Sequence, residues 1–188
     1  MTHHPARITI FIILMAICFA LPISTHAEDA GTEEEEEAPI VEPRSDAVEV
    51  LDGRVVIPRP TGWNIAGIGQ GAVATFRSAS DDRAQIEVRM SSGITEQRWE
   101  RFWRTFDTDL LQAGFQTHRE ATRKRYGTQD GLFYEYRMPR SDGDDYVLLV
   151  WHTREADRAW VFSIFFAHSR YSAYMRTFEE LLSQVTWP

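Results

Sequence analysis

Residues 146–167 read YVLLVWHTREADRAWVFSIFFA, and this stretch decides the fold. Successive strand side chains point to opposite faces of a sheet. In the first half Tyr146, Leu148 and Val150 point one way, and Val147, Leu149 and Trp151 the other. In the second half Val161 and Phe165 oppose Trp160, Phe162, Ile164 and Phe166. Both faces of both strands are therefore apolar, the pattern of strands lying centrally in a sheet covered on both sides. The polar break at 154–157 joins them as a tight antiparallel hairpin.

Working outward, a weakly alternating segment at 116–125 and its hairpin partner at 132–138 precede the central pair, turning through Gly127 and Asp130-Gly131. Before them, residues 95–113 form the clearest helix. Trp99, Phe102, Trp103, Phe106, Leu110 and Leu111 recur at three- and four-residue steps, and Gly114 supplies the C-terminal stop. Three strands are expected ahead of that helix, at 54–57, 72–77 and 84–90. In the third, Ala84, Ile86, Val88 and Met90 share one face, against Gln85, Glu87 and Arg89 on the other. A second amphipathic helix through Tyr171, Tyr174, Met175, Phe178, Leu181 and Leu182 closes the chain. The order βββ-α-ββββ-α with short turns predicts an α+β fold, a three-layer α/β/α sandwich with a largely antiparallel sheet, in one domain over 50–188.

The 49 residues ahead of that domain are of another character. Arg7, the apolar run at 8–21, Pro22 and Thr25-His26-Ala27 make residues 1–27 a secretory signal peptide, with cleavage expected after Ala27. Those fourteen residues span about 21 Å as a helix, short of the roughly 30 Å hydrocarbon core, and retention as an inner-membrane anchor is the alternative. Met15-Ala16-Ile17 before Cys18 makes a poor lipobox, and cleavage would discard the chain's only cysteine. Residues 28–49 hold ten acidic residues against Arg44, including five consecutive glutamates, and read as an acidic disordered linker. Residues 50–188 hold 18 acidic and 18 basic residues, so the formal charge of −8 belongs to the linker and not to the domain. That charge argues against nucleic-acid binding, and one cysteine excludes a disulfide scaffold or a multi-cysteine zinc site within the chain. The expected location is periplasmic or secreted, with no membrane span after cleavage.

The strand before Pro60-Thr61-Gly62-Trp63, the two strands and long helix after it, the four-strand meander containing Gly127 and Gly131, and the terminal helix ending Leu181-Leu182-Ser183 together resemble the PsbP-like superfamily. That superfamily includes photosystem extrinsic subunits, a Ran-binding nuclear factor and bacterial DcrB-like envelope proteins. The resemblance spans roughly residues 50–188 and implies a non-enzymatic binding or assembly role, with no catalytic residues to carry across. The acidic segment and the lack of a lipobox cysteine depart from many bacterial relatives.

Candidate chemistry is sparse. Gly67-Ile68-Gly69-Gln70-Gly71 has the look of a phosphate loop, but the following 72–77 reads as a strand where a dinucleotide fingerprint needs a helix. His118, His152 and His168 fall on predicted strand regions, and a zinc site would need three such ligands to converge; strand-end histidines bonding to loop backbone are the plainer reading. Asp142, Asp144 and Asp145 crowd one turn, as good turn formers do. Arg119, Arg123, Lys124 and Arg125 form the basic cluster of the domain, and simple alternation puts Arg119, Arg123 and Arg125 on one strand face as a candidate surface for an anionic partner. Edge-strand charge that blocks sheet-to-sheet pairing accounts for the same residues. Trp63 and Trp187 are the aromatics whose burial the sequence leaves open, so Trp63 stands as a further binding candidate. The resulting expectation is an exported, non-enzymatic binding or assembly protein of the cell envelope, using no cofactor and partnered by another envelope protein. A periplasmic small-ligand binder with a cleft between helix and sheet is the first alternative, and a hydrolase built from the three histidines the second.

Overall fold

The computed structural model describes residues 43–44, 46–67 and 71–188. Ten strands run in chain order: β1 (Pro43–Arg44), β2 (Ala47–Val50), β3 (Val55–Pro58), β4 (Trp63–Ile65), β5 (Ala72–Ser78), β6 (Gln85–Ser91), β7 (Gln116–Tyr126), β8 (Gln129–Met138), β9 (Tyr146–Glu155) and β10 (Arg158–Ala167). Helix α1 (Glu96–Gln112) sits between β6 and β7, and α2 (Tyr171–Gln184) follows a single 3₁₀ turn after β10. Strands β4 to β10 form one antiparallel sheet in the order β4-β5-β6-β10-β9-β8-β7. The doubly apolar pair β9 and β10 lies at its middle, as the sequence requires. Strands β1 to β3 make a separate three-stranded sheet.

Two hydrophobic layers follow from the alternation. On one face, Phe102, Trp103, Phe106 and Leu110 of α1 pack on Tyr136, Leu148, Val150, Ala159 and Val161. On the other, Tyr174, Phe178, Leu181 and Leu182 of α2 pack on Val147, Leu149, Trp151, Phe162, Ile164 and Phe166. Each buried Leu or Phe contributes about 1.5–3 kcal/mol of transfer free energy, and the two helices draw it from opposite sides of the same strands. The result is the α/β/α sandwich, with the small sheet completing the α2 side. Leu111, one residue past the α1 apolar stripe, is 45% exposed. Gly114 ends the helix at φ +94°, where Phe115 donates to the Leu110 carbonyl and Gly114 to that of Leu111. This left-handed cap satisfies two carbonyls that no helical N–H can reach.

The N-terminal boundary differs from the sequence reading. Strand β2 runs out of the segment whose composition reads as linker, with residues 47–49 inside it and Val50 at the first domain position: Val48 and Val50 are buried and pair in register with Ile57 and Val55. Net charge outweighs these two valines in a reading by composition, yet their two-residue period is the strand period. Strand β4 begins where Pro60 and Gly62 signal only a turn. Of the acidic run at 28–42, none lies within the described residues.

Candidate functional site

Strand register sets out the site. Arg123 pairs with Leu132, Leu132 with His152, and His152 with Val161, so these four residues form a row across β7, β8, β9 and β10. Val161 belongs to the α1 layer, so the row lies on that face. Arg125 pairs with Asp130 on the same side. Arg119 does not join them. Register shifts between Thr117 and Arg119 and between Arg119 and Thr122 put one extra β7 residue between Arg119 and Arg123, relative to β8. Such a bulge reverses the facing of everything beyond it. The expected single face of three arginines is thereby corrected: Arg119 points with Glu135 to the α2 face, Arg123 and Arg125 to the α1 face.

The three arginines also have different occupations. Arg125 makes a two-pronged salt bridge with Asp130, at 2.9 and 2.7 Å. Arg119 lies 3.5 Å from the buried Glu135 carboxylate, which also receives Arg137 at 3.3 Å and the Tyr171 hydroxyl at 2.7 Å, with His118 at 3.7 Å. The buried carboxylate is thus surrounded by donors, as a buried charge requires, although Arg137 Nε has no partner in the protein. Arg123 makes no direct salt bridge among the described residues, but, after the Arg125 bridge, its charge helps hold the Asp130 carboxyl below its usual range.

His152 is the unusual member of the row. Its ring is wholly buried and neither nitrogen has a hydrogen-bond partner in the protein. The Trp103 indole stacks on it at 3.5 Å between centroids and 14° between planes. Trp99 lies 4.9 Å away on the next turn of α1, and Tyr134 of β8 at 5.4 Å. Burial pushes its pKa down to about 3, so the imidazole is neutral and offers one donor and one acceptor. Buried polar atoms without partners cost about 1–3 kcal/mol each and are few in native proteins.

A cleft of about 310 Å³ opens beside this ring, under the first turn of α1 and between the β7–β8 and β9–β10 hairpins. Trp99, Leu132 and His152 give it apolar and aromatic walls; Arg123, Asp130 and Arg154 stand at its rim. Gly131 lines it as well, and a β-carbon there would come within 2.4 Å of the His152 carbonyl oxygen and the Trp151 Nε1. At the other end of the sheet a shallower groove of about 560 Å³ runs past Asp81, Asp144 and Ser169. Its polar groups already serve one another: Tyr174 donates to Asp81, and the Ser169 amide and hydroxyl donate to Asp144. The crowded aspartates are thus turn and helix-start anchors, as expected of that turn.

The remaining sequence candidates separate. The three histidines do not converge: His118 stands by Glu135, His152 lies under α1, and His168 begins the turn before α2. No group of three potential metal ligands gathers among the described residues. The hydrolase built on them is withdrawn, and His152 is not a strand-end histidine bonded to loop backbone. Trp63 is 3% exposed and meets Tyr174 edge-on at 5.6 Å, so it is core and not a binding surface. Trp187 is half-buried against Trp151, Trp160 and Phe162. Residues 68–70 of the glycine-rich loop lie outside the described residues, and the segment leads into β5 and not into a helix. No helix among the described residues is long and apolar enough to cross a membrane. One sequence signal does point to the site: a histidine inside a doubly apolar strand is held neutral by its neighbours.

No family model and no curated protein sequence matches the chain. Solved structures do. CyanoP, the cyanobacterial PsbP of Synechocystis sp. PCC 6803, is similar at a TM-score of 0.54 and 17% identity, over 78% of this chain and 95% of that one. LpqN of Mycobacterium tuberculosis, a protein involved in cell envelope biogenesis, is similar at 0.56 and 11% identity, over 70% of this chain and 82% of that one. A protein of Bacteroides thetaiotaomicron is similar at 0.54 and 14% identity, over 77% of this chain; the match spans about half (48%) of that longer protein. At such identities the likeness concerns backbone architecture alone, and the strand–helix order read from residues 50–188 agrees with it. The chain has the PsbP-like fold.

Proposed function

We propose that this protein is an exported, non-catalytic binding protein of the cell envelope, and that its ligand enters the cleft beside His152. The single observation behind the binding reading is the state of that histidine: buried, neutral, held by stacking, with both nitrogens unpaired. A general base needs a proton-accepting position within reach of a reacting group and a pKa near working pH. A pKa of about 3 and no carboxylate or hydroxyl partner fit a hydrogen-bonding floor instead. The buried acids are likewise committed, Glu87 to Arg89 and Glu135 to Arg137 and Tyr171. Export rests on the signal-like residues 1–27, and the envelope on that signal together with the fold shared with LpqN.

The test is a thermal-shift titration of the purified protein with the low-mass fraction of an envelope extract. A saturable rise in Tm that is lost in Trp99→Ala supports the reading, because a ligand bound only to the native state stabilises it. No rise, or one that Trp99→Ala retains, removes it. A second reading has specific support: residues 116–123 of β7 are all exposed at the sheet edge. Docking of another envelope protein along that edge is the assembly role, and cross-linking from Arg119 or Glu120 to one recurrent partner would favour it over the cleft.

A further inference from the structure

We infer that the His152 cleft selects a small aromatic monocarboxylic acid; this rests on the cleft being the binding site. Size comes first. About 310 Å³ is at the lower end of small-molecule pockets, equivalent to roughly ten waters at about 30 Å³ each. That admits a one- or two-ring molecule and no more.

Shape and charge narrow the class. The Trp99 indole is half-buried on the wall and presents a face for a flat ring, with Leu132 opposite the polar rim. Offset stacking of two aromatic rings favours such a body over a sugar or a polyol of equal size. The charged groups at the rim are Arg123, Asp130 and Arg154; just beyond them Arg125 binds Asp130 and Glu96 lies 3.8 Å from Arg154. Three guanidiniums against two carboxylates leave one positive charge, and Arg123 is the guanidinium without a salt bridge among the described residues. One monoanion balances it; a phosphate dianion would bring a surplus negative charge beside Asp130 and Glu96. Arg123 and His152 are two strands apart in one register row, about 10 Å between backbones at the usual strand spacing. A carboxylate at Arg123 and a ring substituent at His152 can thus belong to one small molecule. Both imidazole nitrogens lie beneath the cleft surface, so a hydroxyl or ring N–H on the far end pairs with one of them only as the Trp99 wall shifts aside.

The experiment uses 4-hydroxybenzoate and indole-3-acetate as probes, each beside its uncharged amide, with binding measured by calorimetry on the purified protein. The acids are expected to bind at least tenfold more tightly than the amides. Arg123→Gln should erase that difference, while Arg119→Gln, on the opposite face, should preserve it. His152→Phe should weaken 4-hydroxybenzoate at least tenfold. Neither acid binding, amides binding equally, or Arg123→Gln leaving the preference intact would each overturn the inference. If the envelope extract still shifts Tm in a Trp99-dependent way under those outcomes, the cleft remains the binding site and only the ligand class fails.

Discussion

Replacing His152 with Phe should change how the protein responds to acid. In the native state burial holds the imidazole neutral with a pKa of about 3, whereas the unfolded chain protonates it near 6.5. Between those values the unfolded state carries the extra proton, so stability rises with pH across the window and is lost as pH falls through it. From pH 7.5 to pH 5.0 this one group removes about 2 kcal/mol, and about 1.4 kcal/mol for each further unit down towards pH 3. A phenyl ring cannot titrate and escapes that loss. Carboxylates titrate over the same range, but none bonds to His152, so their contribution cancels when the two proteins are compared at one pH. At pH 7.5 two terms oppose: relief of the unpaired nitrogens, about 1–3 kcal/mol, and the strain of a larger ring stacked under Trp103, also about 1–3 kcal/mol. The informative quantity is therefore the change in the gap, not its value at neutrality. Urea unfolding followed by tryptophan fluorescence at both pH values measures it. The His152→Phe protein should gain about 2 kcal/mol on wild type between pH 7.5 and 5.0. A gap equal at both would refute a neutral, buried His152.

Other substitutions probe the scaffold around the cleft. Glu135→Ala leaves Arg137 without the buried acid it faces at 3.3 Å and should cost about 3 kcal/mol, read as a lower urea midpoint with unchanged slope. Gly131→Ala drives a β-carbon to 2.4 Å from the His152 carbonyl oxygen; the backbone cannot yield without shifting β8 against β9, and a loss of about 1–3 kcal/mol is expected by the same measurement. Trp63→Ala empties a site 3% exposed beside Tyr174 and should cost about 3–5 kcal/mol, whereas a binding-surface tryptophan would be lost with little effect on stability. Export predicts a mature N-terminus at Glu28, which intact-mass measurement of the secreted or periplasmic protein checks; a mass that includes residues 1–27 would favour the retained anchor.

The sandwich was legible because its evidence is local and redundant. Two doubly apolar strands at 146–167 place the sheet centre, and the α1 stripe and Gly114 fix one helix without reference to anything distant. Strand β2 was hidden for the opposite reason: Val48 sits in a segment of net charge −9 that ends at Glu49, and only pairing with β3 reveals it and Val50. The site was partly legible. Arg123 stood among the basic candidates, but its facing relative to Arg119 depended on a bulge in β7 that alternation cannot foresee. His152 was visible as a histidine and not as a site, because its meaning comes from Trp103 and Trp99, about fifty residues earlier in the chain and brought over it by α1. The burial of Trp63, after a Pro-Gly turn, was open in the sequence; it was settled by packing against Tyr174, on the last helix.

The central claim is that His152 is a neutral hydrogen-bonding group beneath a ligand cleft, and its ring nitrogens report on it directly. Long-range proton–nitrogen NMR of the purified protein at pH 5 should show one protonated and one bare nitrogen for His152, and the bare or the protonated signal should move on saturation with 4-hydroxybenzoate or with the envelope fraction that raises Tm. Two protonated nitrogens at pH 5, or signals that stay fixed while Tm rises, would contradict the account.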